Sequence, residues 1–113
     1  MDYNELYAYL TQKLEKAVPL TAYPIRELVQ IFRKKGNPVT LKSKLTISSV
    51  INSGDISGIM CLVDENNQNK IACSLTHLTF KPDCPLYKEI TDYQRKRQKR
   101  ILQLIEISQR KMN

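Results

Sequence analysis

The sequence predicts an α+β protein: two N-terminal helices, a three-stranded antiparallel meander and one long basic C-terminal helix. Three observations carry that expectation. In residues 3–17 and 25–32 apolar side chains recur at spacings of three and four, the period that lines one helix face. Between 39 and 80 the pattern becomes runs of β-branched residues separated by turn chemistry. From Leu86 to Met112 no proline or glycine interrupts the chain.

The first helix uses Tyr3, Leu6, Tyr7, Leu10, Leu14 and Ala17 as its buried face, with Asp2 and Glu5 spaced as a capping box and Pro19 as its stop. The second begins near Pro24, a residue suited to a first turn. It buries Ile25, Leu28, Val29 and Phe32, and it ends at Gly36. Lys34 and Lys35 in its last turn complement the helix dipole.

The meander reads as VTLKSKLTISSVI, ISGIMCLV and KIACSLTHLTF, joined by a tight NSGD hairpin and a longer DENNQN turn. Face matching sets Ile51 opposite Ile56, Ile47 opposite Met60 and Leu45 opposite Leu62. The third strand follows with Ile71 opposite Leu62 and Cys73 opposite Met60. In that register Cys61 and Cys73 lie on opposite faces, and the second face (Thr46, Ser48, Val50, Ile59, Cys61, Val63, Ala72, Ser74, Thr76) is mixed enough that the middle strand needs cover on both sides. A rival reading makes residues 40–52 a third helix followed by a two-stranded wing, a winged helix-turn-helix DNA-binding protein. Branched residues at Thr46, Ile47, Val50 and Ile51 favour strand instead, and an acidic wing tip has the wrong sign for DNA.

A chain of 113 residues is read as one domain, 1–113, able to bury a modest core without metal or disulfide staples. No apolar run approaches the roughly 20 residues that span a bilayer, and the polar, acidic start MDYNELYAYL is unlike a secretory signal. Three cysteines form no framework, so a reducing cytoplasm with free thiols is expected. The net charge of +7 is unevenly placed. Residues 93–113 carry seven Lys/Arg against Glu106 alone, whereas 1–92 are near neutral, with eleven basic and ten acidic residues. Such asymmetry concerns partners rather than fold.

Arg95, Lys96, Arg97, Lys99 and Arg100 occupy five of six consecutive positions. Asp92–Lys96 and Glu106–Arg110 are favourable i,i+4 pairs, but Arg95–Lys99 and Lys96–Arg100 repel by about 0.2–0.5 kcal/mol each. One sign concentrated at that cost suits an acidic partner. Nucleic-acid backbone is the first expectation, RNA ahead of a specific DNA site, with Gln94, Gln98 and Gln103 the only base-reading candidates. Tyr93 suits stacking on a base less well than anchoring in the core. The alternative is a protein–protein adaptor or assembly factor, because Ile101, Leu102, Leu104 and Ile105 broaden the distal helix into an apolar surface open to a partner or to self-association. A membrane fits poorly, since the basic and apolar stretches lie in series.

A projection of the helix puts Tyr87, Ile90, Gln94, Gln98, Ile101, Ile105, Ser108 and Met112 on one narrow stripe. No catalytic, cofactor or metal site is expected. Cys73 and His77, four apart on a strand, sit about 13 Å from each other, too far to share an ion. No carboxylate pair, phosphate loop or nucleophile elbow occurs.

Overall fold

A computed structural model of the protein describes the backbone of residues 2–65 and 68–112 and the side chains of 2–65 and 70–110. The first helix, α1, spans Tyr3–Ala17. Asp2 Oδ1 accepts the Glu5 N–H at 2.8 Å, and the Val18 N–H closes the last turn on Leu14 O before Pro19. Tyr7, Leu10 and Leu14 face inward. The second helix, Arg26–Lys34, ends in two bonds that satisfy its last carbonyls: Asn37 N to Phe32 O at 2.8 Å and Gly36 N to Arg33 O at 3.0 Å. Gly36 supplies the left-handed φ of +83° this ending requires.

The expected loop between these helices is a strand. Leu20–Pro24 forms β1, burying Leu20, Ala22 and Pro24 on alternate positions. Two prolines had marked the segment as punctuation, but Pro24 closes the strand rather than opening the following helix, α2. A proline at a strand end loses no ladder bond from the strand interior.

Five antiparallel strands replace the expected three. β1 pairs with β2 (Leu45–Asn52), which pairs with β3 (Ile59–Glu65), which pairs with β4 (Gln68–Ser74). The third expected run breaks at Ser74, whose Oγ accepts the Thr76 N–H and turns Leu75–His77 into one 3₁₀ turn. The chain then adds β5, Leu78–Thr79, to the free side of β1, giving the order β4-β3-β2-β1-β5. Because 45–52 is strand and 40–43 a turn, the winged helix-turn-helix arrangement is excluded. The tip of the DENNQN turn, 66–67, lies outside the described residues.

The register differs from face matching for a local reason. Ile47 pairs with Val63 and Ser49 with Leu62, leaving Ser48 as an extra residue in β2. A bulge of this kind switches which face the following side chains take. Val50 is therefore buried and Ile51 is 63% exposed. The NSGD segment is not a tight hairpin either: Gly54–Ser57 forms a one-turn helix, α3, closed by Ser53 N to Gly58 O at 2.8 Å. Ile56, expected opposite Ile51, sits on α3 and is 82% exposed. Along β3 the inward residues are thus Ile59, Cys61 and Val63, not Met60 and Leu62. Leu62, Met60 and Ile51 lie on the outer face, so β3 is sealed by helices on one side only.

Cys61 stands directly opposite Cys73, both buried, which corrects the expectation that they occupy opposite faces. One cluster unites these strands with Leu28 and Phe32 of α2, the inner face of α1, and Ile90 and Tyr93 of the last helix, α4 (Tyr87–Met112). Burial pushes the Cys73 thiol up to about 12 and the Cys61 thiol further. Only Cys84 is partly exposed. At pH 8, Cys84 should therefore be the one thiol to react with an aromatic disulfide in the folded protein, with Cys61 and Cys73 following only as it unfolds. Mass spectrometry of the labelled peptides reads the order.

Candidate functional site

α4 is an uninterrupted helix of 26 residues, about 39 Å long, and its basic stretch does not form one solvated arc. Arg97 is buried, 3% exposed, at the centre of the helix's inner face. Its Nη1 donates to Tyr7 Oη at 2.9 Å and to Asp55 O at 2.7 Å, and its Nη2 donates to Ile56 O at 2.8 Å. The Asp55 carboxylate is 3.7 Å away. Arg100, one turn on, grips the same carboxylate with Nε, at 3.0 and 2.9 Å from its two oxygens, and with Nη2. Tyr7 Oη donates to Asp55 Oδ1 at 2.9 Å, and Tyr93 Oη accepts the Ile59 N–H at 2.9 Å. Tyrosines from both helices, two arginines and one aspartate thus clamp the 53–58 segment against α1 and α4.

The electrostatics follow from the geometry. Hydrogen bonds from Arg100, and then from Tyr7, hold the Asp55 carboxyl below the ordinary value of 3.8, against partial burial that opposes them. Burial pushes the Tyr93 phenol up to about 12 and also raises that of Tyr7, keeping both hydroxyls protonated. Gly58 completes the fit. Its φ of +70° and ψ of −150° fall where only glycine is at ease. A Cβ there would lie 2.6 Å from Tyr93 Oη and 2.8 Å from Arg97 Nε.

The five expected phosphate ligands therefore separate. Arg97 is withdrawn from solvent, which corrects its assignment as a contact residue, and Arg100 is committed to Asp55. Arg95 and Lys96 are exposed but both pair with Asp92, Lys96 at 3.1 Å. Of the five, Lys99 is the one that is exposed and makes no ion pair among the described residues. Gln94, expected as a base reader, is occupied: its Nε2 donates to Leu75 O at 2.9 Å and Leu78 O at 2.7 Å, holding the 3₁₀ turn and β5 against α4. Gln103 Oε1 accepts from Arg100. Tyr93 anchors in the core.

Beyond Arg100 the helix runs largely clear of the body. Ile101 and Leu104 are half-buried, while Leu102, Ile105 and Ile107 are 65%, 48% and 43% exposed. Ile56 of α3 comes alongside, and an open groove of about 500 Å³ runs between it and Ile101, Leu104, Ile105, Ile107 and Ser108. Ile56 was missed because its partner elements are far apart in sequence. Among the described residues no group of His, Cys, Asp and Glu is placed to hold a metal, and no helix is long and apolar enough to cross a membrane. In comparison with known proteins the chain matches no family model, no curated protein and no solved structure.

Two outcomes check the clamp. Arg97→Ala removes one partner of a buried charge set and should cost about 3–5 kcal/mol in urea unfolding, whereas Lys99→Ala should stay within about 0.5 kcal/mol. Gly58→Ala should be more damaging than Gly54→Ala, whose φ of +78° is strained but whose Cβ would meet open space. Acid unfolding tests Asp55. Its pKa is depressed in the folded state, so its stabilisation is full above 3.8 and lost as pH falls through the lower folded value. Asp55→Asn should be less stable than the parent at neutral pH, with a flatter decline below about pH 4.

Proposed function

We propose that the protein is a non-catalytic docking module that binds a partner protein along the distal part of α4. The observation that supports this reading is the groove between Ile56 and the Ile101–Ser108 face, an apolar floor left open beside basic residues. Arg95, Lys96 and Lys99 precede the floor and Arg110 follows it on the same helix. Helix-in-groove recognition uses such a floor for anchors at i, i+3, i+4 and i+7 and a charged rim for orientation. A second copy of this chain would bring one strongly basic tail against another. A partner segment with acidic flanks meets no such repulsion.

A synthetic amphipathic helix with leucines at that spacing and glutamates elsewhere is the direct probe. The parent should bind it in fluorescence polarisation, and Ile105→Asp should weaken binding by about tenfold or more, or 1.4 kcal/mol. Ile105 is half-exposed, so this variant should keep the parent's thermal midpoint. Absence of peptide binding, with a dimer in sedimentation that Ile105→Asp dissociates, would replace this reading by self-association. A second reading keeps nucleic-acid backbone as the partner of Arg95, Lys96 and Lys99, which remain on the exposed side of α4.

A further inference from the structure

The body of the protein carries a second basic region that the charge count along the chain conceals. Residues 26–44 hold Arg26, Arg33, Lys34, Lys35, Lys42 and Lys44 against one acid, Glu27. Acids elsewhere in 1–92 cancel that excess in the total, but none of them lines the groove where three of these cations meet. The outward face of α2 presents Arg26, Gln30 and Arg33, one to two turns apart, and the 40–43 turn sets Thr40, Leu41 and Lys42 opposite them. Between them lies a groove of about 600 Å³ with no carboxylate in its lining. Among the described residues Arg26, Arg33 and Lys42 make no ion pair.

We infer that this groove binds the phosphate backbone of single-stranded nucleic acid. The inference stands apart from the docking role of α4 and uses none of its residues. Three features of the groove converge on an extended anion. First, Arg26, Arg33 and Lys42 cluster around a groove whose lining holds no acid. Arg26 lies in the first turn of α2, at the positive end of the helix dipole, and Ile25 before it provides no side-chain cap. A phosphate there relieves both conditions. Second, the opposing turn is held ready. Thr40 N donates to Ser43 Oγ at 2.9 Å, Ser43 N donates to Thr40 O at 3.0 Å, and Lys42 N donates to Thr40 Oγ1 at 3.2 Å. The Thr40 hydroxyl is used there as an acceptor, so its own proton remains to donate to a phosphate oxygen.

Third, the groove is long enough for a chain of phosphates. Arg26 and Arg33 stand seven positions apart, about 10 Å along the helix, so each can meet a different phosphate of an extended backbone. Leu41, 54% exposed, gives the groove an apolar surface for a sugar or base. Arginine planes can stack on unpaired bases as well as pair with phosphates.

The test uses the full chain and a labelled mixed-sequence single-stranded RNA of about a dozen nucleotides. At about 50 mM salt the parent should bind, with a salt slope near −2 if three cations engage. Changing Arg26, Arg33 and Lys42 together to glutamine should weaken binding about tenfold or more and flatten the slope. The same change at Arg95, Lys96 and Lys99 removes as much charge and should weaken binding several-fold less than the groove change. Urea midpoints of the two triple variants verify folding. Single Arg26→Gln and Arg33→Gln variants should each show part of the loss if the triple variant is unstable. Equal binding by parent and groove variants would overturn the inference, and loss confined to the α4 variant would return the site to that helix. Binding of the parent to phosphatidylserine vesicles but not to RNA would overturn it in favour of a lipid surface.

Discussion

A buried guanidinium decides how α4 meets the rest of the molecule. Removing a charge from water costs several kcal/mol even after relaxation, and the geometry must return that through bonds of good quality. Arg97 finds two hydrogen bonds and a nearby carboxylate in one small region of chain, residues 55–56, and a third hydrogen bond at the phenol of Tyr7. Two of its acceptors are backbone carbonyls of α3, a helix too short to persist alone. The arginine therefore supports the segment that solvates it. Arg100 and Tyr7 then fix the Asp55 carboxylate, and Tyr93 takes the N–H of Ile59 where β3 begins. Element after element is referred to this one position on α4.

How much of this was legible in the sequence varies with the range of the interactions. The ends of α1 and α2 and the span of α4 rest on residues within a turn of one another, and the sequence reading placed them closely. β1 was hidden because four residues between two prolines resemble a linker, and their strand character arises from pairing with β2 and β5. The register failed at Ser48 because unbroken alternation cannot anticipate an extra residue. Once the bulge shifts one side chain, every assignment on β3 inverts.

The candidate site was misread for a related reason. Projecting α4 with charged residues assigned to solvent centred the inner stripe on Gln94 and Gln98. Arg97 in fact continues the series Ile90, Tyr93, Arg97, Ile101, Leu104, whose steps are three and four. Ignoring charge, that series is the most regular inner face the helix offers. Its centre is an arginine, and a buried arginine needs acceptors. Those acceptors come from a turn some forty residues earlier, beyond any local pattern. The charge count misled in the same manner, for Arg97 and Arg100 turn to Asp55 and Arg95 and Lys96 pair with Asp92, while the groove between α2 and the 40–43 turn has no acid in its lining.

An apolar residue at position 97 could satisfy the core without any desolvation cost, and replacing buried ion pairs in this way is often neutral or stabilising. The arginine does something an apolar side chain does not. A leucine would accept several longitudinal positions of α4 against the hairpin, since apolar contact is not directional. The guanidinium fork accepts the one position that aligns its donors with Asp55 O, Ile56 O and Tyr7 Oη. Ile56 is thereby set beside Ile101 and Ile105, one to two turns farther along α4. The groove has its walls because the lock behind it has a single register. Burial of the charge and exposure of the apolar floor are two consequences of the same placement of the helix.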